Sequence, residues 1–311
     1  MNIVAVVVTY NRKVLLKECI DAILKQTRPI TKLIIIDNNS TDGTYEMLEN
    51  ENYLNNSKVF CKRLEKNTGG AGGFHEGIKE AIKDQADWVW IMDDDTIPNS
   101  DCLEKILLAK EKTNNKNVSF FASSIYGVNK EFMNVPNVDT SVEENGYQNW
   151  YEFLADKMVK INTATFVSLL INGDAIRKFG LPCKQYFIWG DDTEYTMRLT
   201  KYYGPAYMVG DSIAIHKRKL TKALNIVDEE DKNRIKMYYY MVRNNLINTQ
   251  NYKGTKATIA LLIQYIKSII FVTFKGKLKM KKIGVILKGI FAFIFKRYDA
   301  KAFKNRFSIE F

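Results

Sequence analysis

A chain of 311 residues, 46% hydrophobic and 26% charged, is long enough for one large domain or two modest ones. It is too apolar for a disordered tail or a disulfide-stapled miniprotein. The net charge of +11 is unevenly placed: residues 251–311 hold 14 Lys+Arg against 2 Asp+Glu, which leaves 32 against 33 for residues 1–250. The body is therefore a poor candidate for a nucleic-acid binder, and the tail needs its own explanation.

Residues 3–8 are a β-branched run, too short for a helix and suited to a strand buried on both faces. With no basic segment before it and no small-residue cleavage site, it reads as a first strand rather than a signal peptide. Residues 13–26 carry Val14, Leu15, Cys19, Ala22 and Ile23 at helical spacing. Strands are expected at 33–36, 59–64 and 88–92, and helices at 41–51 and 77–84. Such alternation predicts a parallel sheet with right-handed crossovers, whose ligands collect at the carboxyl ends of the strands. The polar clusters at 9–12, 37–40, 67–73 and 93–95 fall at those ends.

Further along, 118–124 and 163–171 read as strands, and 126–150 as a polar loop or lid. Short strands are expected at 206–209 and 213–216, and a tyrosine-rich helix at 228–248. Four separated cysteines without a Cys-x-x-Cys pair fit a reducing compartment and disfavour a thiolate zinc site. In the tail, the apolar stretches 257–274 and 283–295 contain lysines and fall short of the roughly 20 apolar residues of a spanning helix. They read as helices lying in a headgroup plane, held by lysines worth about 1 kcal/mol each near an anionic leaflet. Core helices or a dimer interface are the alternatives.

Three adjacent carboxylates, Asp93, Asp94 and Asp95, repel one another unless a cation such as Mg²⁺ or Mn²⁺ sits among them. A solvated acidic turn is the plainer reading, but the position after a buried strand favours the site. His216 could add a nitrogen ligand that Mn²⁺ accepts, or be structural; His75 reads as a loop or helix-cap residue. Asp191 and Asp192 either cap a helix or serve as a base beside Trp189, an aromatic platform for a sugar ring. The glycine-rich run 69–73 before a helix suits close approach of a diphosphate. It is neither a dinucleotide fingerprint nor a P-loop.

Taken in order, Val6 to Arg12, Ile36 to Thr44, Asn67 to Phe74, Asp93 to Asp95 and Trp189 to Tyr195 resemble the inverting family 2 glycosyltransferases of the GT-A fold, and their galactofuranosyltransferase and rhamnosyltransferase branch in particular. The resemblance implies an α/β chain, a Rossmann-like mixed sheet flanked by helices. Its catalytic domain would span 1–250, with a nucleotide-sugar half to about 125 and an acceptor half from 126, and residues 251–311 would be a basic helical extension. It implies nucleotide contacts from Thr9, Asn11, Arg12, Asp37, Asn38, Asn67, Gly70 and Asp94. It further implies a Mn²⁺ or Mg²⁺ ion on Asp93, Asp95 and His216, with Asp192 the base beside Asp191. Trp189, Glu194 and Arg243 would face acceptor or sugar. The expected reaction moves galactofuranose from UDP-galactofuranose, or rhamnose from dTDP-rhamnose, to a saccharide or polyprenyl-diphosphate-linked acceptor at the inner face of the plasma membrane. Homo-oligomers are possible. A metal-dependent nucleotidyltransferase and a non-catalytic sugar-nucleotide or carbohydrate binder are the competing readings.

Overall fold

The computed structural model describes residues 1–114, 117–218 and 224–296. A ten-stranded sheet runs through the body in the order β3-β2-β1-β4-β9-β6-β10-β8-β7, with β5 on β10. The strands are β1 (Ile3–Thr9), β2 (Lys32–Asp37), β3 (Val59–Arg63), β4 (Trp88–Asp93), β5 (Thr96–Pro98), β6 (Phe120–Tyr126), β7 (Asn137–Val138), β8 (Met158–Thr163), β9 (Leu169–Asn172) and β10 (Ala206–His216). The helices are α1 (Lys13–Leu24), α2 (Thr44–Asn50), α3 (Gly69–Lys83), α4 (Cys102–Lys112), α5 (Gly173–Phe179), α6 (Asp191–Tyr202), α7 (Lys232–Tyr252), α8 (Gly254–Lys275) and α9 (Lys279–Ile294).

The first half has the expected parallel pairing, β3-β2-β1-β4. All seven residues of β1 are buried, and its alternation sorts them between two cores. Ile3, Ala5 and Val7 join Leu16, Ile20 and Ile23 of α1. Val4, Val6 and Val8 join Phe74 and Ile78 of α3. Helix α3 lies close on the sheet because Gly73 and Gly77 face Val8 and Val6, where a Cβ would come within 2.4 and 2.3 Å of those side chains. The helix starts at Gly69 rather than at residue 77, because tertiary packing of the glycines against β1 outweighs their poor helix propensity.

Beyond β4 the sheet is mixed, since β9 runs antiparallel to both β4 and β6. The single strand expected at 163–171 is two: β8 ends at Thr163 on the outer side, and the chain turns through Ser168 (φ 56°) into β9. Conversely, the two strands expected between 206 and 216 are one, broken only by a register shift between Val209 and Ile213.

Helices α8 and α9 stack on α7. From α8 the buried residues are Thr258, Tyr265 and Val272, one heptad apart. On its outer side Ile259, Ile263, Ile266, Ile270 and Phe274 are about half exposed or more, and Met280, Phe291, Ile294 and Phe295 extend that apolar surface across and past α9. Neither helix contains an acidic residue. Among the described residues, α8 is the one helix long and apolar enough to cross a membrane, and 17% of its apolar window is buried. Basic residues Arg297, Lys301, Lys304 and Arg306 of the expected basic extension lie outside the described residues.

Candidate functional site

Register brings the acidic cluster together. Thr9 pairs with Asp37, and Val8 with Asp93, so the ends of β1, β2 and β4 form one edge. The short strand β5 then runs antiparallel to β10, setting His216 opposite Thr96 and so beside Asp95. The Lys217 N–H donates to the Asp95 carbonyl at 2.8 Å and fastens this corner.

The three carboxylates divide their partners. Asp94 accepts from the Thr9 hydroxyl (2.7 Å) and from Arg12 (3.2 Å). Asp95 accepts from Arg12 (2.6 Å) and lies 3.0 Å from His216 Nε2. Burial, then the charges of Asp95 and Asp94, push the Asp93 carboxyl well above the usual range. Burial likewise pushes Asp94 up to about 6, although Arg12 opposes the shift. Asp95 goes the other way: burial raises it, but His216 and Arg12 together hold it below its ordinary value.

Asp93, Asp95 and His216 offer ligand atoms that all lie within 4.8 Å of one another, and their chemistry fits a divalent cation. His216 Nδ1 is 2.8 Å from Asn134 Oδ1. A neutral His216 that keeps its proton on Nδ1, donated to that oxygen, turns an Nε2 lone pair toward buried Asp95 Oδ1 in place of the hydrogen bond that the protonated ring gives that carboxylate. Two opposed lone pairs in a buried acidic cluster are the arrangement a hard or borderline cation resolves.

Of the residues expected at the nucleotide, Asp37 is fully buried. Its Oδ1 accepts from the Ser40 N–H (2.8 Å), while Oδ2 has no hydrogen-bond donor and is ion-paired with Arg63 Nε at 3.6 Å. Asn11 (φ 55°) fixes the neighbouring turn by accepting from the Thr41 N–H (2.7 Å). Asn38 differs from expectation: its amide accepts from the Thr68 N–H and donates to the Gly69 carbonyl, both 2.8 Å, so it braces the loop. Asn67 likewise accepts from the Gly69 N–H (2.8 Å). At Gly70 a Cβ would meet nothing within 4 Å.

The segment carrying Asp191 and Asp192 is held in an unusual backbone, with Phe187, Trp189 and Gly190 at φ 65°, 60° and 97°. It docks on the first turn of α3, where the Ala71 N–H donates to the Phe187 carbonyl (3.1 Å). Gly69 (φ 73°) permits this, since a Cβ there would lie 2.0 Å from that carbonyl oxygen. Burial, and next the charge of Asp192, push Asp191 up to about 8. Burial also raises Asp192, whose Oδ1 accepts from the Thr193 N–H at 2.6 Å. Asp191 is close enough for its charge to raise Asp93.

Helix α7 grips this segment from behind. Asn244 Nδ2 donates to the carbonyls of Trp189 (2.7 Å), Ile188 and Tyr186, and Asn248 Nδ2 to that of Gly190 (2.8 Å). The Tyr186 hydroxyl donates to Asn248 Oδ1. Two assignments need correction here. Arg243, expected toward diphosphate or acceptor, is buried and donates to the Gln185 carbonyl (2.8 Å) and to Asn244 Oδ1. Glu194, expected at the acceptor, is 1% exposed and bonded to Arg198 (2.9 Å) and to the Tyr252 hydroxyl (2.7 Å). Glu194 ties α6 to α7, and Arg243 ties α7 to the segment before α6. Trp189 is half-buried, edge-on to Tyr238 at 5.2 Å. His75 lies inside α3, its Nδ1 2.7 Å from the Pro182 carbonyl. The bracing role of Asn248 escaped the sequence reading, although it sits four residues after Asn244 on one helix face.

Because Asn244 holds backbone carbonyls, Asn244→Ala is expected to lower kcat and leave nucleotide affinity near the parent value. It should also destabilise by about 1–3 kcal/mol through buried carbonyls left unpaired. Steady-state kinetics beside nucleotide titration check this; a change confined to nucleotide affinity would contradict it.

Known proteins add an independent line. The family model described as glycosyl transferase family 2 matches residues 4–172. Galactofuranosyltransferase GlfT1 of Mycobacterium tuberculosis is 27% identical over 217 residues, 69% of this chain and 70% of the relative. GlfT1 of Mycolicibacterium smegmatis is 35% identical over 109 residues, 34% of this chain and 33% of the relative. Among solved structures, S. aureus TarS 1–349 in complex with UDP superposes with TM-score 0.60 at 16% identity, over 93% of this chain and 81% of that one. That likeness is one of fold, a GT-A sheet flanked by helices. The family match covers more than half of the chain and includes the strands whose ends carry Thr9, Asp37 and the three aspartates: the chain belongs to glycosyl transferase family 2.

Proposed function

We propose that the protein is an inverting, divalent-metal-dependent glycosyltransferase. Its donor is UDP-galactofuranose, with dTDP-rhamnose the alternative, and its acceptor a saccharide or lipid-linked saccharide. The observation that carries this reading is the meeting of Asp93, Asp95 and His216 at one strand edge within reach of the Asp191 charge. The galactofuranosyltransferase names of its relatives support the donor.

Asp93, Asp95 and His216 would hold Mn²⁺ or Mg²⁺, which when bound neutralises charge on the departing nucleoside diphosphate. The buried Asp37 Oδ2 is an acceptor for an N–H of the nucleotide base, and open Gly70 leaves room for the diphosphate beside the α3 N-terminus. Arg12 pairs with Asp94 and Asp95 and offsets part of the negative charge that an anionic donor would meet at this edge. Asp192 removes the acceptor hydroxyl proton as that oxygen attacks the anomeric carbon and the bond to diphosphate breaks on the opposite face. The sugar is thereby inverted and the proton ends on the Asp192 carboxylate. Incubating the protein with UDP-galactofuranose or dTDP-rhamnose, Mn²⁺ and a lipid-linked acceptor should release UDP or dTDP with a new glycosidic bond of inverted configuration. Pyrophosphate release from a nucleoside triphosphate instead would reassign the site.

The tail docks on the inner face of the plasma membrane. Its support is the outward apolar stripe of α8 and α9, flanked by Lys256, Lys267, Lys275 and Lys281 with no acid among them. With about 1 kcal/mol from each lysine near the surface, the protein should co-sediment with phosphatidylglycerol vesicles far better than with phosphatidylcholine vesicles. High salt should weaken this, as should Ile270→Glu. Concentration-dependent dimers that ignore both vesicle types would make the stripe an oligomer interface instead.

A further inference from the structure

His216 has two ring nitrogens, and they face different parts of the chain. Nε2 lies 3.0 Å from Asp95 Oδ1, whereas Nδ1 lies 2.8 Å from Asn134 Oδ1. The proposed chemistry uses the first and gives the second no role. The register of β10 brings both partners within reach. Strand β5 sets Thr96 opposite His216, and β6 runs parallel to β10 as far as the pairing of Tyr126 with Ile215. The chain leaving β6 therefore does so beside His216. It doubles back at once: Tyr126 and Phe132 form an antiparallel bridge, the Gly127 N–H donates to the Glu131 carbonyl (2.8 Å), and the Met133 N–H to that of Ile125 (3.1 Å). Met133 is buried in the core that includes α1 and anchors the return arm. Asn134 follows it at φ 49°, a left-handed backbone that asparagine and glycine adopt more readily than other residues. The hairpin thus delivers the Asn134 amide to a histidine 82 residues further along.

Coordination chemistry accounts for that contact. A neutral imidazole has one N–H and one lone pair. To hold a cation through Nε2, the ring must keep its proton on Nδ1. His216 is buried, so a proton there needs an acceptor from the protein rather than from bulk water. The Asn134 carbonyl oxygen is one, and the bond also fixes the plane of the ring. A carboxylate in its place would accept the proton equally well but would add another negative charge near Asp93, Asp94 and Asp95; the amide adds none. Groups that orient a ligating histidine in this way contribute about 10–100-fold to metal affinity.

We infer that Asn134 is a positioning residue of the metal site: it keeps the His216 proton on Nδ1 and turns Nε2 toward Asp93 and Asp95. This makes the hairpin after β6 part of the site, and it rests on the divalent-metal reading given above. The test titrates Mn²⁺ into the full chain with UDP present and follows it by pulsed electron paramagnetic resonance, in which a coordinated imidazole nitrogen modulates the signal. His75 is the chain's other histidine and lies inside α3 against Pro182, so loss of the modulation in His216→Ala assigns it to His216. Asn134→Gly tolerates the left-handed backbone but lacks the acceptor, and should weaken Mn²⁺ binding about 10–100-fold. Asn134→Asp keeps an acceptor and should bind Mn²⁺ at least as tightly as the parent. Because Asn134 is half-buried on a loop, both variants should unfold without metal near the parent's temperature, which verifies that they are folded. Parent-like Mn²⁺ affinity in Asn134→Gly, or an equal loss in Asn134→Asp, would overturn the inference and leave the metal in place. A parent that binds Mn²⁺ without nitrogen modulation would keep the cation but reject His216 as a ligand, and Asn134 with it. A parent that binds no Mn²⁺ would reject the metal reading itself.

Discussion

Asp192→Asn is expected to lower kcat by about 10²–10⁴-fold, the usual contribution of a positioned general base. Nucleotide affinity should survive, because the amide keeps the acceptor oxygen that holds the Thr193 N–H. Asp191→Asn should be milder, because burial and the charge of Asp192 push that carboxyl up to about 8 and an amide resembles its protonated form. The pH profile carries the same logic. A base works deprotonated, so a raised pKa moves the rising limb of kcat upward from the pH of ordinary carboxylates, near 4, toward neutrality. Activity should therefore fall as pH drops through that limb. Removing the Asp191 carboxyl should alter the limb, since the two acids titrate as a pair. Transfer by Asp192→Asn at the parent rate would place the base elsewhere.

Asp95→Ala should abolish the part of nucleotide binding that depends on Mn²⁺. In the parent, UDP with Mn²⁺ at 100 times the dissociation constant should stabilise by about 2.7 kcal/mol in a thermal-shift measurement. In Asp95→Ala, adding Mn²⁺ should make little difference, because Asp95 is the residue that links His216 to the acidic edge. Chelation of the parent should reproduce the variant. An unchanged Mn²⁺-dependent affinity would refute the ligand role, and His216→Ala offers a second check that leaves Arg12 with both of its carboxylate partners.

Much of the first hundred residues was legible because the signals there are local. A run of β-branched residues has one low-energy environment, and β1 takes it. The acidic triplet follows a strand, so it had to lie at a strand end. Glycines misled where their meaning was tertiary: the helix was expected only from residue 77, yet it begins at Gly69, and Gly73 is needed because β1 leaves no room for a side chain there. Glu194 and Arg243 misled in the opposite direction. They pointed to substrate, but Glu194 accepts from the Tyr252 hydroxyl of α7 and Arg243 donates to the Gln185 carbonyl, each 58 residues away. A sequence window does not contain those partners.

The first four strands, the acidic edge and the separate character of the tail were thus determined by the sequence itself, through period, composition and charge over short spans. What only the tertiary structure decided is how distant pieces meet. The β5–β10 register sets His216 against Asp95, and Asn244 and Asn248 of α7 hold the backbone that presents Asp192. Likewise, the three buried seam residues of α8 leave Ile259, Ile263, Ile266, Ile270 and Phe274 facing outward. Each is a pairing between segments far apart in the chain, whose energy arises from mutual burial and hydrogen-bond satisfaction. No local pattern records it.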